Sequence, residues 1–460
     1  MKPQTARQKP LGGSEKACRA HAKSQAVSSH ERRGLRKQSS PFTPSRQQWL
    51  LLSLAGAFIA TNTLALALSG GSEQSDWTGL ALWISCALVG GKILDRFLPD
   101  QDPILFPIVM LLSGWGLLTI ARLAPPFANR QEIWLLVSTG AMLLAAVFPH
   151  ALRWMRSYRY VILAVALALM LATIVFGSNP SGFPFAPRLW LRFGGFYFQP
   201  SEMMKLVLVA FLASYLGESA TAFRIADKDS SAKAHLPRLL GPTALIAAVS
   251  VVMLIWQRDL GAAMLFFVVF VLMLYLTSGD WRVIAGGAAM VIVAGFVAYH
   301  LFDVVRLRVD IWLNPWPEAD SRAYQIVQSL MAFSSGGIFG RGLGQGSPLY
   351  VPVAHSDFIF AALAEEWGLL GVISVLSCFA VLTLRGLSIG LRHSTSAFRR
   401  LFAIGLSTML AAQAIMIMAG VLKLIPLTGV TLPFFSYGGS SLLVSFVMIG
   451  ILIRLSSEAR

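Results

Sequence analysis

The 460-residue chain is 55% hydrophobic and only 13% charged, against roughly a quarter charged in a soluble domain. That excludes a soluble globule. Apolar runs recur from about residue 49 to the C-terminus, and short alternating segments of the β-barrel kind are missing, so the fold class is all-α, a polytopic helical membrane protein. The formal charge of +16 invites nucleic acid, but much of it sits in residues 1–48 and the rest in short loops, as in a membrane protein that marks its cytoplasmic side.

Residues 1–48 are rich in Lys, Arg, Ser and Gln, with only Glu15 and Glu31 acidic. This reads as a basic, disordered cytoplasmic tail; an organelle transit peptide has similar composition, whereas a secretory signal has a shorter basic region. At ~20 residues per crossing, twelve spans follow. They lie near 49–69, 77–96, 103–121, 131–149, 159–176, 202–217, 239–256, 260–277, 283–302, 358–384, 400–422 and 438–455. With the tail in the cytoplasm, the inside loops hold Arg153, Arg156 and Arg159, then Arg224, Lys228, Lys233 and Arg238, then Arg385, Arg392, Arg399 and Arg400. All these clusters fall on one side, as the positive-inside rule requires. Both termini are then cytoplasmic.

"FGGFYFQPSEMMKLVLVAFLASYL" (193–216) opens a span with Pro200, whose missing N–H costs nothing at a helix start. Ser201 and Glu202 suit the first turn, and Lys205 lies one turn further. An internal Glu202–Lys205 ion pair and a cation aimed at an anionic ligand are both open readings. Arg122, Arg130, Arg188 and Arg192 lie on the outer side against the usual charge bias, and a diphosphate is a natural partner for them. Gln257, Arg258 and Asp259 form an outer turn, where an Arg258–Asp259 pairing is the default expectation.

The longest internal loop, 303–357, lies outside the cytoplasm. Within it, Tyr324, Val327, Leu330 and Met331 predict a short amphipathic helix, lying on the membrane surface or packed on the bundle. "SSGGIFGRGLGQGSP" is a turn-filled segment whose glycines allow close backbone approach. Then comes "HSDFIFAALAEE" (355–366), with ionisable groups at the mouth of an apolar span. Such groups are costly at membrane depth and are functional candidates. Asp357 is either the helix N-cap or a catalyst. Glu365 lies ~12 Å further along the axis, too far to share a proton with it. Glu365 and Glu366 suit neighbouring backbone or basic groups. "KLIPLTGVTLPFFSYGGSS" (423–441) must break regular helix where the backbone is buried or lines a cavity.

Cys18, Cys86 and Cys378 are too dispersed for a disulfide framework, and no His pair or nucleotide-binding loop is present. ATP-driven chemistry and zinc hydrolysis are therefore poor fits.

"WLRFGGFYFQPSEMMK", "QRDLGAA", "AYQIVQSLMAFSSGGIFGRGLG", "VPVAHSDFIFAALAEEWGLLG" and "IPLTGVTLPFFSYGGSSLL" occur in order over roughly residues 103–455. Together they resemble the SEDS proteins of the FtsW/RodA/SpoVE type. The resemblance implies a SEDS-like transmembrane domain over 101–460, with about ten spans, and makes the two spans within 49–100 an addition. It implies a peptidoglycan glycosyltransferase that polymerises lipid II in cell division or elongation, working with a class B penicillin-binding protein and membrane lipid, and with no nucleic acid. The family's essential loop aspartate falls on Asp357, and its "QPSE…K" segment on Gln199, Pro200, Ser201, Glu202 and Lys205. "QRDLG" departs from the family in having Arg258 where many members have Pro.

On this reading Asp357 is the general base for the acceptor 4-hydroxyl. Lys205, with Arg122 or Arg192, meets the leaving diphosphate, with room for a divalent cation, Mg²⁺ or Mn²⁺, and no nucleotide. Ser201, Glu202, Asp259, His355 and Glu366 complete the substrate-binding candidates. A lipid II flippase and a non-catalytic scaffold of a cell-wall complex are the alternatives.

Overall fold

A computed structural model describes residues 44–68, 74–180, 188–226, 241, 248–249, 251–252, 255–256, 259–347, 350–393 and 395–459. The chain runs α1 (Pro44–Leu68), α2 (Gln74–Phe97), α3 (Leu105–Leu123), α4 (Pro125–Val147), α5 (Ala151–Ser157) and α6 (Arg159–Phe176). A hairpin, β1 (Leu191–Phe193) and β2 (Phe196–Phe198), precedes α7 (Pro200–Ala226). There follow α8 (Leu260–Ser278), α9 (Trp281–Leu301), α10 (Asp303–Leu313), α11 (Tyr324–Gly336), α12 (Ile359–Arg392), α13 (Ala397–Val421) and α14 (Gly439–Glu458). Among the described residues, nine helices are long and apolar enough to cross a membrane, and α4 with α5, bent by 82°, makes a tenth. The expected span at 239–256 and the expected Arg258–Asp259 pairing fall mostly or wholly outside the described residues. So does most of the expected tail, although α1 starts at Pro44, inside the tail's proposed limits, with Gln48 buried.

The core forms where α14 lies along α4, α12 along α13, and α13 against α7. Met142, Phe211, Phe402, Phe446 and Ile449 are shut off from solvent there. At the other extreme, α9 buries only Gly287 and turns the rest outward, as a lipid-facing helix does. α1 and α2 seat on α3 and α4. The β-hairpin is an exception to the all-α expectation. Its signal was present as apolar runs around a Gly-Gly turn, with Gly194 at φ +60°.

α11 sits on α12 and buries Ile326, Val327, Ser329 and Ala332. The helix expected there exists, packed on the bundle, but its apolar stripe is rotated: Met331 is 51% exposed. α10 has no counterpart in the sequence-based expectation.

α12 is not a continuous helix. Gly368 breaks it at φ 62°, ψ −159°. The broken backbone bonds are remade by the glycine-rich loop. Arg341 N–H donates to Glu365 O (2.9 Å) and Gly342 N–H to Glu366 O (3.1 Å), while Leu369 N–H and Leu370 N–H donate to Gly337 O (2.9 Å) and Ile338 O (3.3 Å). The approach requires glycine: a Cβ on Gly340, at φ +81°, would lie 2.1 Å from Glu366 O. A helix break inside a membrane span is tolerated only with such replacement partners.

Candidate active site

A cavity of about 850 Å³ is walled by the first turns of α4, the β-hairpin, and the starts of α7, α8 and α14. Residues 353–357 and the irregular stretch 429–431 complete it. Two sequence features put the cavity there. Pro200 starts α7 abruptly, which turns the first-turn residues Ser201, Glu202 and Lys205 inward. Residues 422–438 hold no regular helix, as their prolines and glycines predict, and expose backbone to the cavity.

Asp357, Glu202, Lys205, Asp259 and His355 all line this cavity. Lys205 Nζ donates to both Glu202 oxygens at 2.7 Å and to Gln413 Oε1 at 2.9 Å. All three ammonium donors are therefore used, and the internal ion-pair reading holds. Gln413 Nε2 passes the link on to Thr431 O (2.8 Å), and Thr431 Oγ1 to Ser441 Oγ (2.8 Å). Asp259 caps α8, accepting from Ala262 N–H (3.1 Å) and from the Ser201 hydroxyl (3.3 Å). Ser201 joins the site through this bond.

Asp357 is not the cap of α12. That position is Phe358, with no side-chain cap bond. The carboxylate accepts one hydrogen bond, from Ser356 Oγ at 3.2 Å. Its backbone is fixed from across the cavity: Ser436 Oγ donates to Ser356 O (2.7 Å) and Tyr437 N–H to His355 O (2.9 Å). Val353, a β-branched residue at φ 55°, marks strain in the same turn. His355 stacks on Phe127, ring centroids 5.0 Å apart.

Burial pushes the Asp357 carboxyl above its ordinary value, against the pull of the Ser356 hydroxyl and the Arg308 guanidinium. Asp259 is raised for the same reason, opposed by Ala262 N–H and Lys205. Arg308 is pushed down by burial and held up by the charges of Asp259 and Asp357. His355 is pushed down by burial.

Three expected site residues stand elsewhere. Arg122 and Glu366 form a buried ion pair behind the α12 break, and Glu366 Oε1 also accepts from Gly344 N–H at 3.2 Å. Neither lines the cavity, because the loop glycines bring backbone donors to Glu366 and hold it there. Arg192 is exposed on β1 and donates to Gly194 O at 3.1 Å, since alternation along the hairpin turns it outward. Two other cations take their place. Arg130 lines the cavity together with Tyr437. Arg308 on α10 donates to Leu427 O (3.3 Å) and Thr428 O (3.4 Å), just behind Gly429. Arg308 was missed by sequence reasoning, although a cation in an outer loop carries the same signal as Arg130.

A divalent cation finds a poor donor set. No group of three metal-ligating side chains converges among the described residues. Asp259 and Glu202 are each engaged by protein donors.

The family model described as cell cycle protein, of the FtsW/RodA/SpoVE type, matches residues 103–460. The chain is 36% identical over 448 residues to the peptidoglycan glycosyltransferase RodA of Mycobacterium tuberculosis, covering 92% of each. It is 33% identical to the probable peptidoglycan glycosyltransferase FtsW of Geobacter metallireducens, over 77% of this chain and 92% of that one. The fold matches a chain of a peptidoglycan synthase complex that coordinates polymerization and crosslinking (TM-score 0.64, 25% identity, 78% of this chain and 98% of that one). It also matches the rod shape determining protein RodA of Thermus thermophilus (TM-score 0.55, 25% identity, 77% and 96%). A match over 92% of the chain leaves too few residues outside it to omit α1 and α2, so the mycobacterial RodA aligns with the added helices as well. By its motifs, its fold and these likenesses, the chain belongs to the FtsW/RodA/SpoVE family of cell cycle proteins.

Proposed function

We propose that the chain is a peptidoglycan glycosyltransferase that polymerises lipid II into glycan strands at the outer face of the bacterial plasma membrane. The observation that carries this is Asp357: a half-buried carboxylate with one hydroxyl donor, lining a cavity that also presents Arg130 and the Glu202–Lys205 pair. The acceptor sugar's 4-hydroxyl gives its proton to Asp357 as its oxygen bonds to the donor's anomeric carbon. The bond to the diphosphate breaks, and polyprenyl diphosphate leaves with the electron pair. Arg130, on the cavity wall, meets that charge, and Arg308 adds to it from behind Gly429. Lys205, held by Glu202 and Gln413, supplies field rather than a free donor.

The starts of α7 and α8 and the approach to α12 all meet at this cavity, so the ionisable groups gather at one end. A transporter would carry its essential groups near mid-membrane, so this gathering favours transfer over transport. The basic clusters at Arg153–Arg159 and Arg385–Arg400 support cytoplasmic termini and an external cavity. A class B penicillin-binding protein is the proposed partner, supported by the likeness to a chain from a complex that couples polymerization with crosslinking.

The test is a gel assay of glycan strands from labelled lipid II, with purified protein, with and without the class B protein. Strands from the parental chain and none from Asp357→Asn are expected. Polymerisation by Asp357→Asn at the parental rate removes the base assignment. Translocation of lipid II without polymer favours the flippase.

A further inference from the structure

The added helices take no part in the chemistry above, yet they reach the casing of the cavity. Phe58 of α1 meets Trp115 of α3 edge-on, with ring centroids 5.0 Å apart, and lies 5.4 Å from Trp367 of α12. Trp115 in turn meets Trp367 at 5.2 Å and Phe435 at 5.8 Å. Two glycines of α3 set this spacing. A Cβ on Gly114 would lie 2.1 Å from Ile59 Cδ1, and one on Gly116 would lie 2.4 Å from Phe435 O. So α1 presses on one face of α3 while the irregular segment presses on another. Trp83 of α2 fixes the pair by donating to Met110 O at 2.8 Å.

The chain of contacts ends at the proposed base. Phe435 is followed directly by Ser436 and Tyr437, the two residues that hold Ser356 O and His355 O, and Asp357 comes next. Trp367 directly precedes the break at Gly368. The irregular stretch before α14 and the break in α12 therefore lean on one aromatic cluster, and α1 closes its far side.

We infer that α1 is a positioning element for catalysis: Phe58, acting through Trp115 and Phe435, sets the backbone at 355–357 and so the aim of Asp357. This rests on the reading of Asp357 as the base. Packed interiors transmit small displacements, and ~1 Å of misplacement can cost on the order of 10²-fold in rate.

The test uses the full chain in liposomes with labelled lipid II, with initial rates at several substrate concentrations and thermal unfolding in parallel. Phe58→Ala is expected to lower kcat about tenfold with KM changed less than about twofold. Phe58→Tyr, which keeps the ring, should retain the parental kcat. Leu50→Ala, on the outward face of the same helix, should leave both constants unchanged. If Phe58→Ala fails to fold, Phe58→Leu is read in its place. A parental kcat in the folded variant overturns the inference. So does a loss of kcat matched by an equal loss in Leu50→Ala, or one that Phe58→Tyr fails to rescue. If Asp357→Asn stays active, the base assignment fails first; if it is dead while Phe58→Ala is parental, only the role of α1 fails.

Discussion

Among the described residues, two groups of ionisable side chains in largely apolar surroundings differ in what is left unsatisfied. Behind the α12 break, Glu365 accepts from Ser347 N–H at 2.8 Å, and Glu366 is paired with Arg122 and Gly344 N–H. None of these three side chains lines the 850 Å³ cavity. At the cavity, Asp357 has one hydroxyl donor, and Arg130 stands on the wall. Both groups are equally conspicuous as charges at membrane depth. The comparison teaches that such a charge marks a reaction centre only where its hydrogen-bonding capacity exceeds what the protein supplies.

The sharpest way to break this comparison is Asp357→Asn. It should cut strand synthesis by ~10²–10⁴-fold with the unfolding temperature unchanged. Glu366→Gln should do the reverse. Leaving the Arg122 charge buried and unpaired costs ~3–5 kcal/mol, so thermal unfolding in detergent should fall well below the parental value. If Glu366→Gln keeps its stability and loses polymerisation, the two groups have been assigned the wrong way round.

Gly340→Ala tests the loop that holds the second group. Its positive φ alone costs ~1–2 kcal/mol, and the new methyl group meets Glu366 O. A destabilised protein is expected, read by unfolding temperature. A smaller effect concerns pH. Burial raises Asp357, and the base must be ionised to act, so the rate should fall with acid below a midpoint above the ordinary value of 3.8. Arg308→Gln removes an opposing cation and should move that acidic limb to higher pH, as measured by kcat/KM against pH. The smallest effect is expected of Arg192→Ala, exposed on the hairpin, where the rate should stay within about twofold of the parental value.

The helices were legible because apolar runs of membrane length have few alternative folds. Eleven of the twelve expected spans coincide with described helices. The irregular stretch after α13 was legible from its prolines and glycines. The Glu202–Lys205 pair was legible from helical spacing. What escaped were contacts between segments distant in sequence. Arg122 and Glu366 are 244 positions apart by their numbers, and only the glycine loop brings them together behind the break. The Gly368 break lies in a run that reads as ordinary helix, and its cause is a loop some thirty residues upstream. The phase of α11 was misread because its polar Ser329 faces inward to donate to Val421 O at 3.2 Å.

The break at Gly368 bears on how the chain is made. The turns of α12 on either side of the break lack their own backbone partners and take them from residues 337–342. Those residues are synthesised before α12, so the template for the bend exists before the helix reaches the bilayer. A lesion in the loop would therefore also tell during biogenesis, as a lower yield of inserted protein, ahead of the lost stability of the protein that is recovered.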